Sequence, residues 1–340
     1  MNGLLDKLRD GDRRALARAM SRVDATGRTD PALEAHLRQS TGDVPWWGFT
    51  GPPGVGKSTL IDALLVRLRE RGRRIGVVAV DPSSPRSTGA LLGDRVRMMR
   101  HAVDTGIFIR SLATHLHQGG LSDATVHCVR LLESAGYDPL LIETVGVGQN
   151  ELDIATVADL CVVLMAPGYG DDIQLIKAGL LEIADIVVVN KCDLPESQRL
   201  LKEVREELAG AAAARSGQPF QAPSGGPSAD ADDVAGDVEV LEVEAKSGRG
   251  VEQLLDRLIE LDGARRTPAT AACRRERRVI GEIRRRAASR CEQAVARVLA
   301  DPEAKSWIAR LDRGEVSLDA VIEQLAAAAL AEVRPAASEE

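Results

Sequence analysis

The sequence predicts an α/β fold: a mostly parallel sheet flanked by helices, with a helical extension at each end. Three observations carry this. Seven short apolar runs recur between residues 46 and 243, separated by amphipathic stretches, the pattern of buried parallel strands joined by crossover helices. One run leads into a glycine-rich segment with the spacing of a phosphate-binding loop, and that segment leads into a helical stretch, Leu60–Leu68. Hydrophobic residues make up 44% of the 340-residue chain but aromatics only 2%, so the core is built from Leu, Ile, Val and Ala.

Residues 1–42 read as a helical extension, with Leu4, Leu5, Leu8, Ala15, Leu16, Ala19 and Met20 at three- and four-residue spacing and a second short helix around Ala32–Arg38. The strands are expected at Trp46–Thr50, Ile75–Val80, Ile107–Ile109, Leu140–Ile142, Leu160–Met165, Ile186–Val189 and Val238–Val243. They define a nucleotide-binding domain over 43–262. Within it, 209–237 is rich in Ala, Gly, Ser, Pro and Asp and reads as a flexible insertion or loop. From 263 to 340 the chain reads as a C-terminal helical extension with a self-association surface, whose apolar positions include Val279, Ile283, Val295, Val298 and Leu299. The stretch 274–290 carries eight Arg against two Glu; it reads as a solvated helix face, with an acidic docking partner as the alternative.

Composition excludes several classes. So few aromatics cannot supply base-stacking platforms, and a net charge of −7 gives no general attraction to nucleic acid or to anionic membrane. No apolar run is long enough to span a membrane, and the charged N-terminus lacks the apolar core of a secretory signal. Five scattered cysteines without a Cys-x-x-Cys pair read as reduced thiols in the cytoplasm.

The chemistry begins at Gly51-Pro52-Pro53-Gly54-Val55-Gly56-Lys57-Ser58-Thr59. The glycines let successive backbone amides turn toward phosphate oxygens, and the helix that follows adds its positive end. Lys57 reaches the β- and γ-phosphates, and the Ser58 hydroxyl ligates magnesium. The base is read elsewhere. Asn190-Lys191-Cys192-Asp193 follows the sixth apolar run, where open α/β sheets bind ligands. Asp193 can accept from both guanine N1–H and the 2-amino group, neither of which adenine offers; the Lys191 stem can pack on the purine, and Asn190 can tie loops together. Ala245-Lys246 fits the remaining guanine loop, although Glu244 stands where small GTPases commonly have Ser. Asp81, Asp94 and Glu143 are candidate magnesium acids. Glu143-Thr-Val-Gly146 has the form of a γ-phosphate sensor, with the Gly146 N–H as reporter. Position 147 is Val, where Ras-like proteins place the water-positioning Gln, and Gln149 lies two residues too far along. Slow intrinsic hydrolysis, accelerated by a partner, is expected. Asp171, Gln174 and Lys177 sit three residues apart after Pro167; they read as a mobile switch, or as a plain loop-to-helix junction capped by Asp171.

These motifs resemble the MeaB/ArgK family of P-loop GTPases, to which the methylmalonic aciduria type A protein belongs. The resemblance rests on GPPGVGKST at 51–59, VAVDPSSPRSTGALLGDRVRM at 78–98, FIRSLA at 108–113, ETVGVGQNE at 143–151 and PGYGDDIQLIKAGLLEIADIVVVNKCD at 167–193. It implies a P-loop G domain that binds GTP and GDP with magnesium. It also implies a chaperone of an adenosylcobalamin-dependent acyl-CoA mutase, so that adenosylcobalamin enters only through the partner, and a homodimer formed through C-terminal helices. By position it implies Lys57, Ser58, Asp81, Asp94 and Glu143 as phosphate and magnesium residues. Gln149 and Asn150 then fall in switch II, and Gly170, Asp171, Gln174 and Lys177 in switch III. The family more often has Ala at Cys192 and Ser at Asn150. The mutase stays open among methylmalonyl-CoA, isobutyryl-CoA and 2-hydroxyisobutyryl-CoA types. A metal-insertion GTPase would want His or Cys clusters, and His115 with His117 is the sole close His pair. A transport-linked kinase would need a phosphoacceptor site that the sequence does not display.

Overall fold

The computed structural model describes residues 2–26, 29–39, 44–82, 99–101, 103–114, 123–144, 150–168, 179–216, 238–265 and 268–333. All seven apolar runs form strands: β1 (Trp46–Thr50), β2 (Ile75–Pro82), β3 (Ile107–Thr114), β4 (Leu140–Thr144), β5 (Leu160–Met165), β6 (Ile186–Asn190) and β7 (Glu239–Val243). They pair in parallel in the order β3-β2-β4-β1-β5-β6-β7. β3 runs beyond the expected Ile109, because its pairing with β2 continues from Ile75↔Ile107 to Pro82↔Thr114.

β1, β4, β5 and β6 are buried on both faces, which is why they lack a polar alternation; β7, at the edge, is partly buried and carries Glu239 and Glu242. Adjacent residues of β1 serve opposite layers. Trp46 joins the core with Val78, Ile142 and Cys161; Trp47 and Phe49 join the core with Leu60, Leu64 and Leu68 of α4 (Lys57–Glu70).

On the Trp46 face lies α5 (Asp123–Ser134), whose residues from Ala124 to Glu133 are all buried, including His127, Arg130 and Glu133. A surface helix would present such polar residues to water. Here α2 (Arg13–Thr26) and α3 (Pro31–Gln39) cover the outer side, placing Leu16, Met20, Val23, Leu33 and Leu37 in the same core. α1 (Asn2–Arg9) adds Leu8. The Arg13 guanidinium pins α2 to the entry of β3, donating to the carbonyls of Asp104 (3.2 Å), Thr105 (2.7 Å) and Ile107 (2.8 Å). The helices expected in 1–42 form, and they pack as a third layer within the same compact unit as the sheet.

At the β6–β7 side, α7 (Ser197–Ser216) covers Val187 and Val189 with Leu200, Leu201 and Val204. This corrects the reading of 209–237 as loop from its first residue. The helix continues through Ala209–Ser216, because an Ala-rich stretch has high helix propensity even with little to bury; residues 217–237 lie outside the described residues. α6 (Asn150–Asp153) is a single turn, and α8 (Val251–Ala264) packs Leu254, Leu255 and Leu258 into the core beneath α4.

The chain divides into two compact units, Met1–Arg277 and Arg278–Glu340. The boundary falls inside α9 (Pro268–Ala300). The second unit contains the rest of α9, α10 (Pro302–Asp312), capped by Asp301, whose side chain accepts from Glu303 N at 2.9 Å, and α11 (Leu318–Val333). Its core is small: Ala294, Val298, Ala304 and Ala329. Among the described residues no helix is long and apolar enough to cross a membrane. All five cysteines are free; burial pushes the Cys128 thiol up to about 12 and raises Cys161 as well, so neither is a ready nucleophile.

Candidate functional site

Every described element of the site lies at the C-terminal ends of parallel strands, so the sheet delivers loops distant in sequence to one edge. The phosphate loop follows β1. It needs glycine at two positions for different reasons. Gly51 has φ 136°, and a Cβ there would stand 2.2 Å from the Leu164 carbonyl; Gly56 has φ 101°, and a Cβ would stand 2.4 Å from Asn190 Nδ2. Gly56 also caps α4, and among the described residues no side chain caps that helix. A helix start of this kind suits an anion, through its backbone amides and the positive end of the helix dipole.

Lys57 is buried within the loop it serves. Its Nζ donates to the carbonyls of Gly51 at 2.7 Å and Pro52 at 2.8 Å. Ser58 Oγ donates to Glu143 Oε1 at 2.6 Å, across 85 residues of sequence, with both side chains buried. One residue on, Thr144 Oγ1 bonds Thr50 Oγ1 at 2.9 Å, locking the ends of β4 and β1 together.

This hydroxyl–carboxylate pair suits magnesium, a hard cation that takes oxygen ligands. Asp81 stands at the end of β2, whose register pairs Ala79 with Glu143, so the strand brings it to the same edge; its side chain lies outside the described residues, as do Asp94, Gly146 and Gln149. Among the described residues no group of three or more His, Cys, Asp or Glu is placed to hold a metal. Asn150 opens α6 by its backbone, and Asp171, Gln174 and Lys177 lie outside the described residues.

A separate cavity of about 260 Å³ opens between the phosphate loop and two later loops. Gly56 and Thr59 form one side. Asn190, Lys191, Asp193 and Leu194 come from the β6 loop, and Glu244, Ala245 and Lys246 from the β7 loop. Asn190 is the hub. Its Nδ2 donates to the Val55 carbonyl at 2.8 Å, and its Oδ1 accepts from Ala245 N at 3.1 Å, so one buried amide joins all three loops. Lys191 has φ 59°, a left-handed conformation rare outside glycine, and its Nζ reaches the Gly54 carbonyl at 3.0 Å. Asp193 is exposed at the cavity rim, able to accept from a ligand's paired donors. The sequence-predicted residues thus gather in two places on one edge: Gly51 to Thr59 with Glu143, and Asn190, Lys191 and Asp193 with Ala245 and Lys246.

Sequence reasoning missed Arg249. Its Nη2 lies 2.9 Å from Cys192 Sγ and its Nε 3.8 Å from Glu244 Oε2. Nothing in spacing marks it, because the contact joins loops 57 residues apart. Sequence reasoning also missed a clamp on the outer side of α4. There Asp62 Oδ1 bonds His101 Nε2 at 2.8 Å and accepts from Arg100 Nε at 2.7 Å.

Comparison with known proteins follows the same outline. The family model "Methylmalonyl Co-A mutase-associated GTPase MeaB" matches residues 16–301. A putative GTPase of Pyrococcus horikoshii is 50% identical over 190 residues, covering 56% of this chain and 60% of that protein. A mouse protein, "Methylmalonic aciduria type A homolog, mitochondrial", is 47% identical over 146 residues, covering 43% of this chain and 35% of that protein. The match spans about 60% of the length of the first of these curated relatives. The crystal structure of a LAO/AO transport system kinase superposes with a TM-score of 0.67 at 24% identity, covering 95% of each chain. At that identity it shows the fold alone.

Proposed function

The chain belongs to the MeaB family of methylmalonyl-CoA-mutase-associated GTPases, and from that premise we propose that it is a GTP-binding and GTP-hydrolysing chaperone of an adenosylcobalamin-dependent acyl-CoA mutase, gating cofactor loading and protecting or reactivating the mutase. The observation that carries the reading is the extent of the family match, residues 16–301, which takes in most of α2 and all of α3 and α9 as well as the sheet. The name of the mouse relative supports a methylmalonyl-CoA mutase or a near relative as partner.

In this reading the backbone of Gly51–Thr59 cradles the phosphates and Lys57 stabilises charge at the γ-phosphate. Ser58 and Glu143 would hold magnesium, with Asp81 and Asp94 as further acids, and the ion would supply positive charge to offset that developing on the phosphates. Asp193 accepts from guanine, the Lys191 stem covers the purine, and Ala245 and Lys246 close the base site. Gly146 reports the γ-phosphate to Gln149 and Asn150. With Val at 147, no side chain there positions water, so intrinsic hydrolysis is slow and the mutase accelerates it through Asp171, Gln174 and Lys177. A homodimer forms through the second unit, where Ile283, Leu299, Ile308, Leu318, Ile322 and Leu330 are exposed.

The test is steady-state GTP turnover with and without each of the three mutase types. One mutase should raise turnover of the wild type, and Lys57→Ala should lose turnover by at least about a hundredfold. Gln174→Ala and Lys177→Ala should keep basal hydrolysis and lose most of the acceleration. GTP hydrolysis that no mutase alters would remove the chaperone role and leave a GTPase.

A further inference from the structure

Two carboxylates, Asp193 and Glu244, line the same small cavity from different loops. Left without a partner of its own, Glu244 would compete with Asp193 for the donors of a base. Lys191 and Lys246 line the cavity too, and Lys191 Nζ is held on the Gly54 carbonyl at 3.0 Å; the cation paired with Glu244 comes from outside the lining. Arg249 pairs with Glu244, Nε to Oε2 at 3.8 Å, while its Nη2 donates to Cys192 Sγ at 2.9 Å in the residue next to Asp193.

The backbone fixes where this guanidinium starts. Glu244 N donates to the Arg249 carbonyl at 2.9 Å in an antiparallel bridge, and Gly248 N donates to the Glu244 carbonyl at 2.9 Å, closing a tight turn. Ser247 Oγ sits inside the turn, donating to the Glu244 carbonyl and accepting from Arg249 N, both at 3.3 Å. The β7 loop is joined to the β6 loop as well, by Cys192 N to the Val243 carbonyl at 3.2 Å. The guanidinium is held above its ordinary value, chiefly by the Cys192 sulfur, with the charges of Glu244 and Asp193 acting in the same direction.

We propose that Arg249 is a positioning residue of the base site: it neutralises Glu244, draws that carboxylate toward the turn, and so leaves Asp193 alone to accept from the base. This rests on the reading of Asp193 as the guanine acceptor. The cation does not touch the nucleotide; it decides which of two carboxylates does. Because Arg249 is exposed, with 60% of its side-chain surface accessible, its effect weakens with salt.

The experiment measures dissociation constants of GDP, of ADP and of inosine diphosphate, which differs from GDP only by lacking the 2-amino group. Wild type is compared with Arg249→Ala, Arg249→Lys, Glu244→Ser and the Arg249→Ala/Glu244→Ser double variant. Arg249→Ala should weaken GDP by about tenfold and cut the preference for GDP over inosine diphosphate by at least about threefold. Glu244→Ser should restore both in the double variant, and Arg249→Lys should keep most of the preference. A loss of fold would lower both nucleotides together and leave their ratio unchanged. The proposal is overturned if Arg249→Ala, with wild-type circular dichroism and unfolding midpoint, leaves that ratio as in wild type, or if its loss persists undiminished beside Glu244→Ser. Wild type that binds ADP as well as GDP would instead sink the guanine assignment itself.

Discussion

The two compact units solve the problem of burial in opposite ways. In Met1–Arg277 the large apolar side chains are inside: Trp46, Trp47, Phe49 and Leu64 are all essentially inaccessible. In Arg278–Glu340 the buried apolar residues among those described are three alanines and two valines, Val298 and Val321, while Leu318, Ile322 and Leu330 are more than half exposed. A sheet covered on both faces has interior on two sides, and even its outer helix α5 is enclosed by α2 and α3. Three helices without a sheet make a thin interior. The described part of the first unit therefore hides its large apolar side chains, and the second leaves several of its own exposed.

The largest effect that would sharpen this contrast is on stability. Leu64→Ala, in the core between α4 and the sheet, should cost about 2–5 kcal/mol in denaturant unfolding, through lost transfer energy and a cavity. A cost below about 1 kcal/mol would mean that the first unit's core is not close-packed. Next comes ligand affinity without loss of fold. Asp193→Asn should weaken GTP by about 1–3 kcal/mol, since a carboxylate acceptor becomes partly a donor facing guanine donors, and xanthosine triphosphate should bind the variant better than it binds wild type. Isothermal titration with both nucleotides checks this, and unchanged GTP affinity would refute it. The smallest effect on folding belongs to the second unit. Ile322→Glu with Leu330→Glu should change unfolding by no more than about 0.5 kcal/mol per site, as exposed positions do, yet shift sedimentation at micromolar concentration from dimer to monomer. A monomeric wild type would erase the contrast as a functional one.

Much of the first unit was legible. The inner strands were visible because burial on both faces leaves a continuous apolar run, and the phosphate loop because its glycines answer to backbone geometry that few other residues adopt. The joining of the loops was legible in part: Asn190 was expected to tie loops, and it joins Val55 to Ala245. Other features left no local trace. The continuation of α7 to Ser216 was hidden by a composition that buries little. In the second unit, Val295 and Val298 were read with Ile283 and Leu299 as one apolar set. Val298 is buried in that unit's own core and Val295 packs partly buried against it, while the other two are exposed. Helical periodicity shows that a face is apolar but not what covers it.

By itself, then, the sequence determined the seven strands, the phosphate loop with its following helix and the family. These depend on side-chain period and on backbone conformations that neighbouring residues dictate. Only the tertiary structure decided that Ser58 meets Glu143, that α2 and α3 close over α5, and that Arg249 lies between Cys192 and Glu244. Those meetings follow from the strand order, which carries segments far apart in the chain to one edge of the sheet. A pattern of local burial is the same for every strand order that hides the same residues.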